Sequence, residues 1–590
     1  AMAARAFAAS AAPLALTLLL VSPGAQADLP IHCLRKWIYG DWQLKRSSMS
    51  SGLNKCGYIT PDNNAQHFED KAAFKFNSDG QDLHLTLKQP NIVECTQGCP
   101  DHSNSGNFTM TYDEGMEIRM AGMVFYSFFH YTPKPGTNVK SSDKLEHYET
   151  DCSKTRTGWV HDGSVNPQNW GCASMEQMRA EVKQDCSAMA ETQHSVEPVL
   201  SPTGKDIKKA NKITQDFIAQ AEKLLGSQSS TSSTPAMDFS LLNVSSSSSA
   251  MRFRNKNMVQ SEAGTQACIK QQRSMQQARA NTGHHEMAIL KVDANAKFTY
   301  DHEWIEKHNN NPDATWTATA YDQFEGMSLE EAMNRLGSSR AKVFPRKKTR
   351  HHRKTSSKNK NNNNYSANST SSGGDHPPKS WDWRTKGIQT PVQDQGNCGS
   401  CYAQAALDVA SQRWMIKHGV EQKVQFSVDD HIENAFYNQG CQGGYPVLVG
   451  KHGKDIGLRT KECYESKCDK MIYVKSYGYV GGYYGASTEE LMRREIWKNG
   501  PIVAAFEPTG TFFSYKDGIF TGAKGPHTDD WEKTDHAILL IGWDETVDGQ
   551  KYWIAKNSWG PSWGEKGYFK IRRGTDETGI ESMGVFLSFD

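Results

Sequence analysis

Residues 28 to about 175 alternate apolar and polar positions with period two. Phe74 and Phe76 alternate, Asp79-Gly80 marks a turn, and Leu83, Leu85 and Leu87 alternate again, which predicts a hairpin. Phe108, Met110 and Tyr112 alternate before Asp113-Glu114-Gly115, and Met116, Ile118 and Met120 follow. Short strands at this spacing predict an all-β barrel or sandwich. The pattern weakens from about 187 to 292, where Ser227–Ser233 and Ser245–Ser249 are serine-rich. Ser328 ahead of Leu329-Glu330-Glu331-Ala332-Met333 predicts a capped helix start. From about Lys379 the chain is again patterned for a globule. Ala403, Ala406, Leu407, Ala410 and Trp414 recur at helical spacing. Ala537-Ile538-Leu539-Leu540-Ile541 reads as a buried strand, Asp548-Gly549 as a turn, and Tyr552–Lys556 as a returning strand.

Composition changes this picture in three places. The chain has 590 residues, 37% hydrophobic, with a formal charge of +1. Its length allows two to four domains, and its charge offers no electrostatic basis for binding nucleic acid or a membrane surface. The tract 341–376, with Arg346-Lys347-Lys348 and the asparagines 361–364, cannot bury enough apolar surface to fold and is expected to be a solvated linker. At the front, Arg5, the apolar run Ala11–Val21 and Ala25-Gln26-Ala27 read as a signal peptide over 1–27, with a mature start at Asp28. No later apolar run is long enough to span a bilayer.

Thirteen cysteines suit an oxidising compartment, and the odd count leaves one thiol over. That thiol is a reactive nucleophile or an intermolecular bridge. Cys398 and Cys401, three apart in "GNCGSCY", raise the same choice. A redox pair calls for a preceding strand, yet Thr390–Gly396 is loop-like. A zinc site calls for further close ligands, which do not follow. In the remaining reading Cys398 bridges elsewhere and Cys401, near the first turn of a helix, attacks. The amides and macrodipole at that helix end favour a thiolate. His536 and Asn557 stand at the open ends of the two strands joined by Asp548-Gly549. Pairing brings them together if a bulge or a longer loop absorbs an offset of about four residues. Asn557 can then orient an imidazole that serves the thiol.

The stretches "QGNCGSCY" from Gln395, "DHAILLIGWD" from Asp535 and "NSWGPSWGEKGYF" from Asn557 resemble the papain-type cysteine peptidases. "SGNFTMTYDEGMEI" from Ser105 and "TGWVHDGSVNPQNWGC" ending at Cys172 resemble the exclusion domain of the cathepsin C (dipeptidyl peptidase I) family. "YDHEWIEKHN" and "WTATAYDQFEGMSLEEAMNRLG" resemble its propeptide. "SWDWR", "GCQGGYP", "YVGGYYG" and "IRRGTDE" agree with the same family.

The resemblance implies an α+β, papain-like two-lobed peptidase, a helical lobe with a β-barrel lobe, behind an N-terminal all-β exclusion domain. The implied domains are a signal peptide (1–27), an exclusion domain (28–175), a prosegment (176–378) with inserts at 187–292 and 341–376, and a peptidase domain (379–590). It makes Cys401 the nucleophile, His536 the base and then acid, and Asn557 its orienter. Gln395 and the Cys401 N–H form the oxyanion hole, and Trp559 shields the Asn-His hydrogen bond. Asp28, Gly443 and Gly444 join Trp559 at the substrate, with the Asp28 carboxylate holding the free α-ammonium.

Tyr445, Val447 and Tyr479 match a chloride site, where Val447 replaces a tyrosine; no metal or organic cofactor is implied. The implied bridges are Cys33–Cys152, Cys56–Cys172, Cys398–Cys441 and Cys463–Cys468, leaving Cys95–Cys99 and Cys186–Cys268 as additions. Asn434 and Thr578 stand where the family has cysteines. Asn107, Asn243, Asn364 and Asn368 lie in N-x-S/T sequons.

The implied activity is removal of dipeptides from free N-termini by an enzyme made as a zymogen. An endopeptidase follows if the exclusion domain is shed, and a non-enzymatic scaffold is the reading from another class. Activating proteases, a cut in the loop Gly522–Asp530, a tetramer and an acidic vesicle or secretion complete the expectation.

Overall fold

In a computed structural model the structure describes residues 31, 33–54, 56, 82–99, 104–135, 148–180, 297–328, 331, 332, 335, 376–508, 510–522 and 534–590. The signal peptide, Asp28, the Phe74–Gly80 half of the first hairpin, the serine-rich insert, nearly all of the basic tract and Cys186–Cys268 lie outside them. So do Asn243, Asn364, Asn368 and most of the expected cut loop.

The front of the chain is a closed antiparallel barrel. Its strands are β1 (Gly40–Arg46), β2 (Ser50–Ser51), β3 (Leu83–Lys88), β4 (Ile92–Gln97), β5 (Ser105–Thr111), β6 (Gly115–Met120), β7 (Met123–Pro133), β8 (Tyr148–Thr155), β9 (Gly158–Asp162) and β10 (Asn169–Ala180). They pair in the order β1-β3-β4-β5-β6-β7-β9-β10, and β10 returns to β1 (Gly40 opposite Ala180), so this ring has no free edge. The period-two reading holds where it is described: Leu83, Leu85 and Leu87 are all buried. β10 runs to Ala180, past the expected boundary at 175, because its last residues complete the ladder to β1. Cys33–Cys152 and Cys56–Cys172 staple the barrel, and Cys95–Cys99 closes a turn.

Two lobes make up the peptidase part. The helical lobe is built on α3 (Cys401–His418), with α4 (Val428–Asn434), α5 (Pro446–Asp455) and α6 (Lys461–Glu465); one-turn α1 (Arg35–Ile38) and α2 (His302–Asn309) precede them in the chain, and α7 (Glu489–Asn499) follows. α3 is buried on nearly every side, so helical spacing located it although it has no polar face. The second lobe is a sheet of β11 (Trp316–Ala318), β12 (Trp381–Asp382), β13 (Ser476–Tyr479), β14 (Ile502–Phe506), β15 (Tyr515–Phe520), β16 (His536–Glu545), β17 (Lys551–Lys556), β18 (Tyr568–Arg572) and β19 (Gly584–Ser588). Its order is β11-β15-β18-β17-β16-β14-β19-β13, with β12 on β16. The architecture is therefore α+β with two lobes behind a β-barrel. No helix among the described residues is long and apolar enough to cross a membrane.

One contact positions the site. Lys556, 3% exposed at the end of β17, donates to Asp408 Oδ2 on α3 at 2.7 Å and to Thr390 Oγ1 at 2.7 Å. Thr390 also bonds Asp408. The helix that starts with Cys401 is thus tied to the strand that precedes Asn557. Lys556→Met would leave the Asp408 carboxylate, 12% exposed, without its cation. The expected loss is about 3 kcal/mol, read as a lower midpoint in denaturant unfolding; an unchanged midpoint would show that the tie carries no weight.

Candidate active site

Cys401 is the first residue of α3, so its N–H has no partner within the helix. Ahead of it, Cys398 is bridged to Cys441, and Cys401 is the free cysteine among the described residues. This removes the redox and zinc readings of the pair. Gly399 is drawn against Cys441 by a 2.8 Å bond from its N–H to the Cys441 carbonyl; a Cβ there would meet that oxygen at 2.7 Å. The bridge and the bare glycine together set the approach of the loop to the helix.

β16 and β17 form the predicted hairpin, and its register slips between Leu540 and Gly542. That irregularity takes up one residue of the offset: Leu539 faces Lys556, so Asn557 comes two residues from the position opposite His536, and the side chains span the rest, with His536 Nε2 2.8 Å from Asn557 Oδ1. Asn557 Oδ1 also accepts from the Ser558 N–H at 2.8 Å, so it is the amide oxygen and the imidazole proton sits on Nε2. Nδ1 is then bare, and it has no hydrogen-bond partner. The Ala537 N–H, on the residue after His536, favours the charged form of the Cys401 sulfur, and Cys401 and Ala537 line the same cleft. The sulfur and the start of β16, where His536 stands, therefore face one cleft. Trp559, fully buried, lies against the imidazole with ring centroids 5.1 Å apart and keeps water from the His536–Asn557 bond.

The Gln395 side chain is held at both ends. Its Oε1 accepts from Ser558 Oγ at 2.7 Å, and its Nε2 donates one hydrogen to Cys398 O at 3.1 Å. The second Nε2 hydrogen is available to a developing oxyanion. One expectation needs correction. A helix N-terminus favours a thiolate, but burial outweighs it here and pushes the Cys401 thiol up to about 11, against the Ala537 N–H. Burial likewise lowers His536 to about 4, against its bond to Asn557. Burial thus disfavours both the thiolate and the imidazolium.

A cleft of about 380 Å³ opens beside Cys401, lined by Gly443, Gly444, Tyr445, Thr534 and Ala537, and by Tyr112 from the barrel. Gly443 has φ 112°, a conformation open to glycine. Tyr112 was legible only as one more alternating residue. It stands in the turn after β5 at φ 50°, and its ring packs on Tyr445 (5.3 Å) and Tyr484 (5.5 Å). Tyr445, Val447 and Tyr479 are all buried, near the start of α5 and on β13. The Tyr445 hydroxyl finds no protein partner. Asn434, where a cysteine was expected, instead bonds Asp430 at 3.0 Å. Thr578 is buried at φ 51°, so both departures leave local contacts rather than a bridge.

Sequence reading also missed a second shell of contacts from residues 297–335. Ser328 and Glu331 form the capping box the pattern predicts. From there Glu331 accepts from Asn397 at 2.7 Å, and Arg335 pairs with Asp394 at 2.9 Å, on either side of Gln395. Gln323 donates to Trp559 O at 3.0 Å, and Trp559 Nε1 donates to Arg335 O at 3.1 Å. Asp28 lies outside the described residues.

Comparison with known proteins agrees with this geometry. Residues 377–587 match the papain family cysteine protease model, and residues 28–177 match the cathepsin C exclusion domain. The chain is 39% identical to cathepsin C of Schistosoma mansoni over 230 residues, 35% of this chain and 51% of that protein, so it matches about half of that relative's length. It is 23% identical to dipeptidyl aminopeptidase 1 of Plasmodium falciparum (isolate 3D7), over 96% of this chain and 94% of that one. It is 32% identical to a gut-specific cysteine proteinase of Caenorhabditis elegans over 35% of this chain and 72% of that one. The chain belongs to the papain family of cysteine peptidases, and carries a cathepsin C exclusion domain in front of its peptidase domain.

Proposed function

We propose that the chain is a dipeptidyl aminopeptidase that removes dipeptides from free N-termini of proteins and peptides, made as a zymogen. The observation that carries this is the position of the barrel: its residue Tyr112 lines the same cleft as Cys401, so the barrel limits how much chain the cleft accepts. The barrel's N-terminal stretch points the same way. Cys33 donates its N–H to Asp113 O at 2.8 Å, beside Tyr112. Asp28 is five residues from Cys33, a reach of up to about 17 Å. It can therefore bring a carboxylate to the cleft to pair with a substrate's α-ammonium.

In this reading the Cys401 sulfur attacks the carbonyl after the second residue while its proton passes to His536 Nδ1. The tetrahedral oxyanion takes hydrogen bonds from Gln395 Nε2 and the Cys401 N–H. His536 then gives its proton to the leaving amine as the C–N bond breaks, and water, activated by the same imidazole, hydrolyses the thioester. Asn557 holds the tautomer and Trp559 keeps that bond dry. Gly443 and Gly444 leave room for substrate backbone. The hydroxyls of Tyr445 and Tyr479 and the Val447 N–H at the start of α5 are all donors. That set fits a chloride ion, which would neutralise the floor of the cleft.

Residues 297–335 grip the loops carrying Gln395 and Trp559, which suits a prosegment that activating proteases remove. A homotetramer and an acidic vesicle or secretion remain part of the proposal. The five described disulfides belong to an oxidising compartment.

A dipeptide amide with a free amine and its N-acetyl twin test the exopeptidase reading. The free amine is expected to have the higher kcat/KM by roughly tenfold to a hundredfold, the worth of a hydrogen bond to a charged group. Asp28→Asn should erase most of that margin. Equal turnover of both peptides by the natural enzyme would favour an endopeptidase. Gln395→Ala should lower kcat about 10²- to 10³-fold with KM little changed, measured under saturation; an unaltered kcat would remove Gln395 from the oxyanion hole.

Acid should loosen the uncut chain. Burial holds His431 well below 6.5 and His452 and His536 down to about 4. Each binds its proton more readily when unfolded. The folded state therefore has its full advantage above about pH 6.5 and loses it as the pH falls toward 4. For an uncut Cys401→Ser chain the thermal midpoint should fall on the order of 5 °C between pH 7 and pH 4. A flat profile would mean these histidines are solvated.

A further inference from the structure

Away from the cleft, the barrel and the helical lobe meet around a group of charges sealed except at Arg119, whose side chain is 37% exposed. The barrel supplies Glu117 and Arg119 on β6 and His161 on β9. The helical lobe supplies Lys451 and Asp455, one turn apart on α5. Lys451 has no exposure, and the side chains of His161, Asp455 and Glu117 are 1–3% exposed. Lys451 Nζ lies 2.9 Å from Asp455 Oδ2, 3.6 Å from Glu117 Oε2 and 3.0 Å from His161 Nε2. His161 Nδ1 is 2.7 Å from the Asp162 carbonyl oxygen, which can only accept. Nδ1 therefore donates there, and Nε2 lies between Lys451 Nζ at 3.0 Å and Asp455 Oδ2 at 3.1 Å. Tyr477 donates to Glu117 Oε2 at 2.6 Å, Tyr437 donates to Asp455 Oδ2 at 3.0 Å, and Arg119 pairs with Glu117 at 2.6 Å.

Two properties of this group matter. Each half is neutral by itself: Glu117 with Arg119 on the barrel, Lys451 with Asp455 on α5. Such a group adds little net attraction, because desolvation offsets the pairing. It does demand one register. The aromatic contacts around it, such as Trp159 on Tyr437, tolerate sliding, whereas a slip of one strand residue, about 3.3 Å, would strand Lys451 and Glu117 in a dry seam. Glu117 is also two residues beyond Gly115, which ends the turn that puts Tyr112 in the cleft.

We propose that Lys451, His161 and Glu117 form a docking key that fixes where the barrel sits over the cleft. They act as positioning residues for the dipeptide limit, through Tyr112 and the barrel's N-terminal stretch. This rests on the exopeptidase reading above.

The test uses the processed enzyme and the same pair of peptides, a free-amine dipeptide amide and its N-acetyl twin. Lys451→Met keeps the aliphatic stem and removes the charge, and Lys461→Met, on the exposed face of α6, is the control. Lys451→Met should raise KM for the free-amine peptide and narrow the free-amine to N-acetyl ratio by about tenfold or more. Cys401 should still react with a small thiol reagent at the natural rate, and the control should leave the ratio alone. His161→Gln, which keeps an acceptor for Lys451, should disturb the ratio less than His161→Phe. If Lys451→Met does not fold, His161→Phe is read in its place.

A ratio unchanged in the variant while the natural enzyme discriminates would overturn the key. A lower rate on both peptides in equal proportion would overturn it too, since that is what damage to the fold does. If the natural enzyme itself fails to discriminate, the exopeptidase reading has failed, and the two failures are told apart by that one comparison.

Discussion

Lys556 spans from the end of β17 to Asp408 on α3, two turns below Cys401, and the next residue in the chain is Asn557. The thiol belongs to one lobe and the imidazole with its amide partner to the other. No local propensity brings them together; only the packing of α3 against the sheet does. A buried ion pair is seldom a large net source of stability, but it penalises every arrangement in which its members part. With Thr390 completing the contact, the permitted arrangement is the one that places Cys401 and Ala537 on one cleft and leaves His536 Nδ1 without a hydrogen-bond partner.

The same enclosure explains the chemical state of the pair. Desolvation penalises a thiolate and an imidazolium alike; the backbone amides of Ala537, Tyr402 and Cys401 do not overcome it for the sulfur, nor the bond to Asn557 for the imidazole. A neutral pair is a poor nucleophile that becomes a good one when water or substrate dipoles enter. The segment 297–335 reinforces this state without touching the sulfur in any described contact. Arg335 and Glu331 hold Asp394 and Asn397, which flank Gln395, while Gln323 and the Arg335 carbonyl hold Trp559. The loops for the oxyanion and for shielding the imidazole are thus anchored by one stretch of chain. Their freedom changes together when that stretch goes.

What could be read beforehand follows from the range of the interactions. The His536–Asn557 pair was legible because both ends belong to one hairpin, although the bulge supplies only one residue of the offset and the side chains span the rest. The barrel strand Leu83–Leu87 was legible because burial there alternates with the pleat, and Met116–Met120 because apolar and charged residues alternate in the sequence, although Glu117 is buried as well. Tyr112 was not: its place in the cleft depends on a left-handed turn and on docking against Tyr445 and Tyr484, more than 300 residues along the chain. Lys451 gave a misleading signal. In "VLVGKHGKD" it looks like a solvated helix lysine, and it is dry because the barrel covers α5. Arg335 and Glu331 lay in a segment whose pattern announced a helix start but not the loop it would grip. Cys401 was joined to His536 by a nucleophilic thiol's need for a base and then by family resemblance, since periodicity carries no information about which helix meets which strand.

Specificity in this design is subtractive. The thiol, imidazole, amide and oxyanion donors would cleave a chain at any point that could lie across the cleft, and nothing in their geometry counts residues from an end. Counting requires a wall at a fixed distance from the sulfur and a charge on the wall that rewards a free amine. A wall made from the peptidase's own loops would have to be rigid while still admitting substrate. A separate barrel, closed on itself and stapled by Cys33–Cys152 and Cys56–Cys172, is stiff before it docks. Its position then becomes the one variable that matters, and a shift of a single residue along the seam is comparable with the length of one substrate residue. That equality is why a barrel of this kind needs contacts that fix register, as the apolar rings alone would leave the dipeptide limit poorly defined.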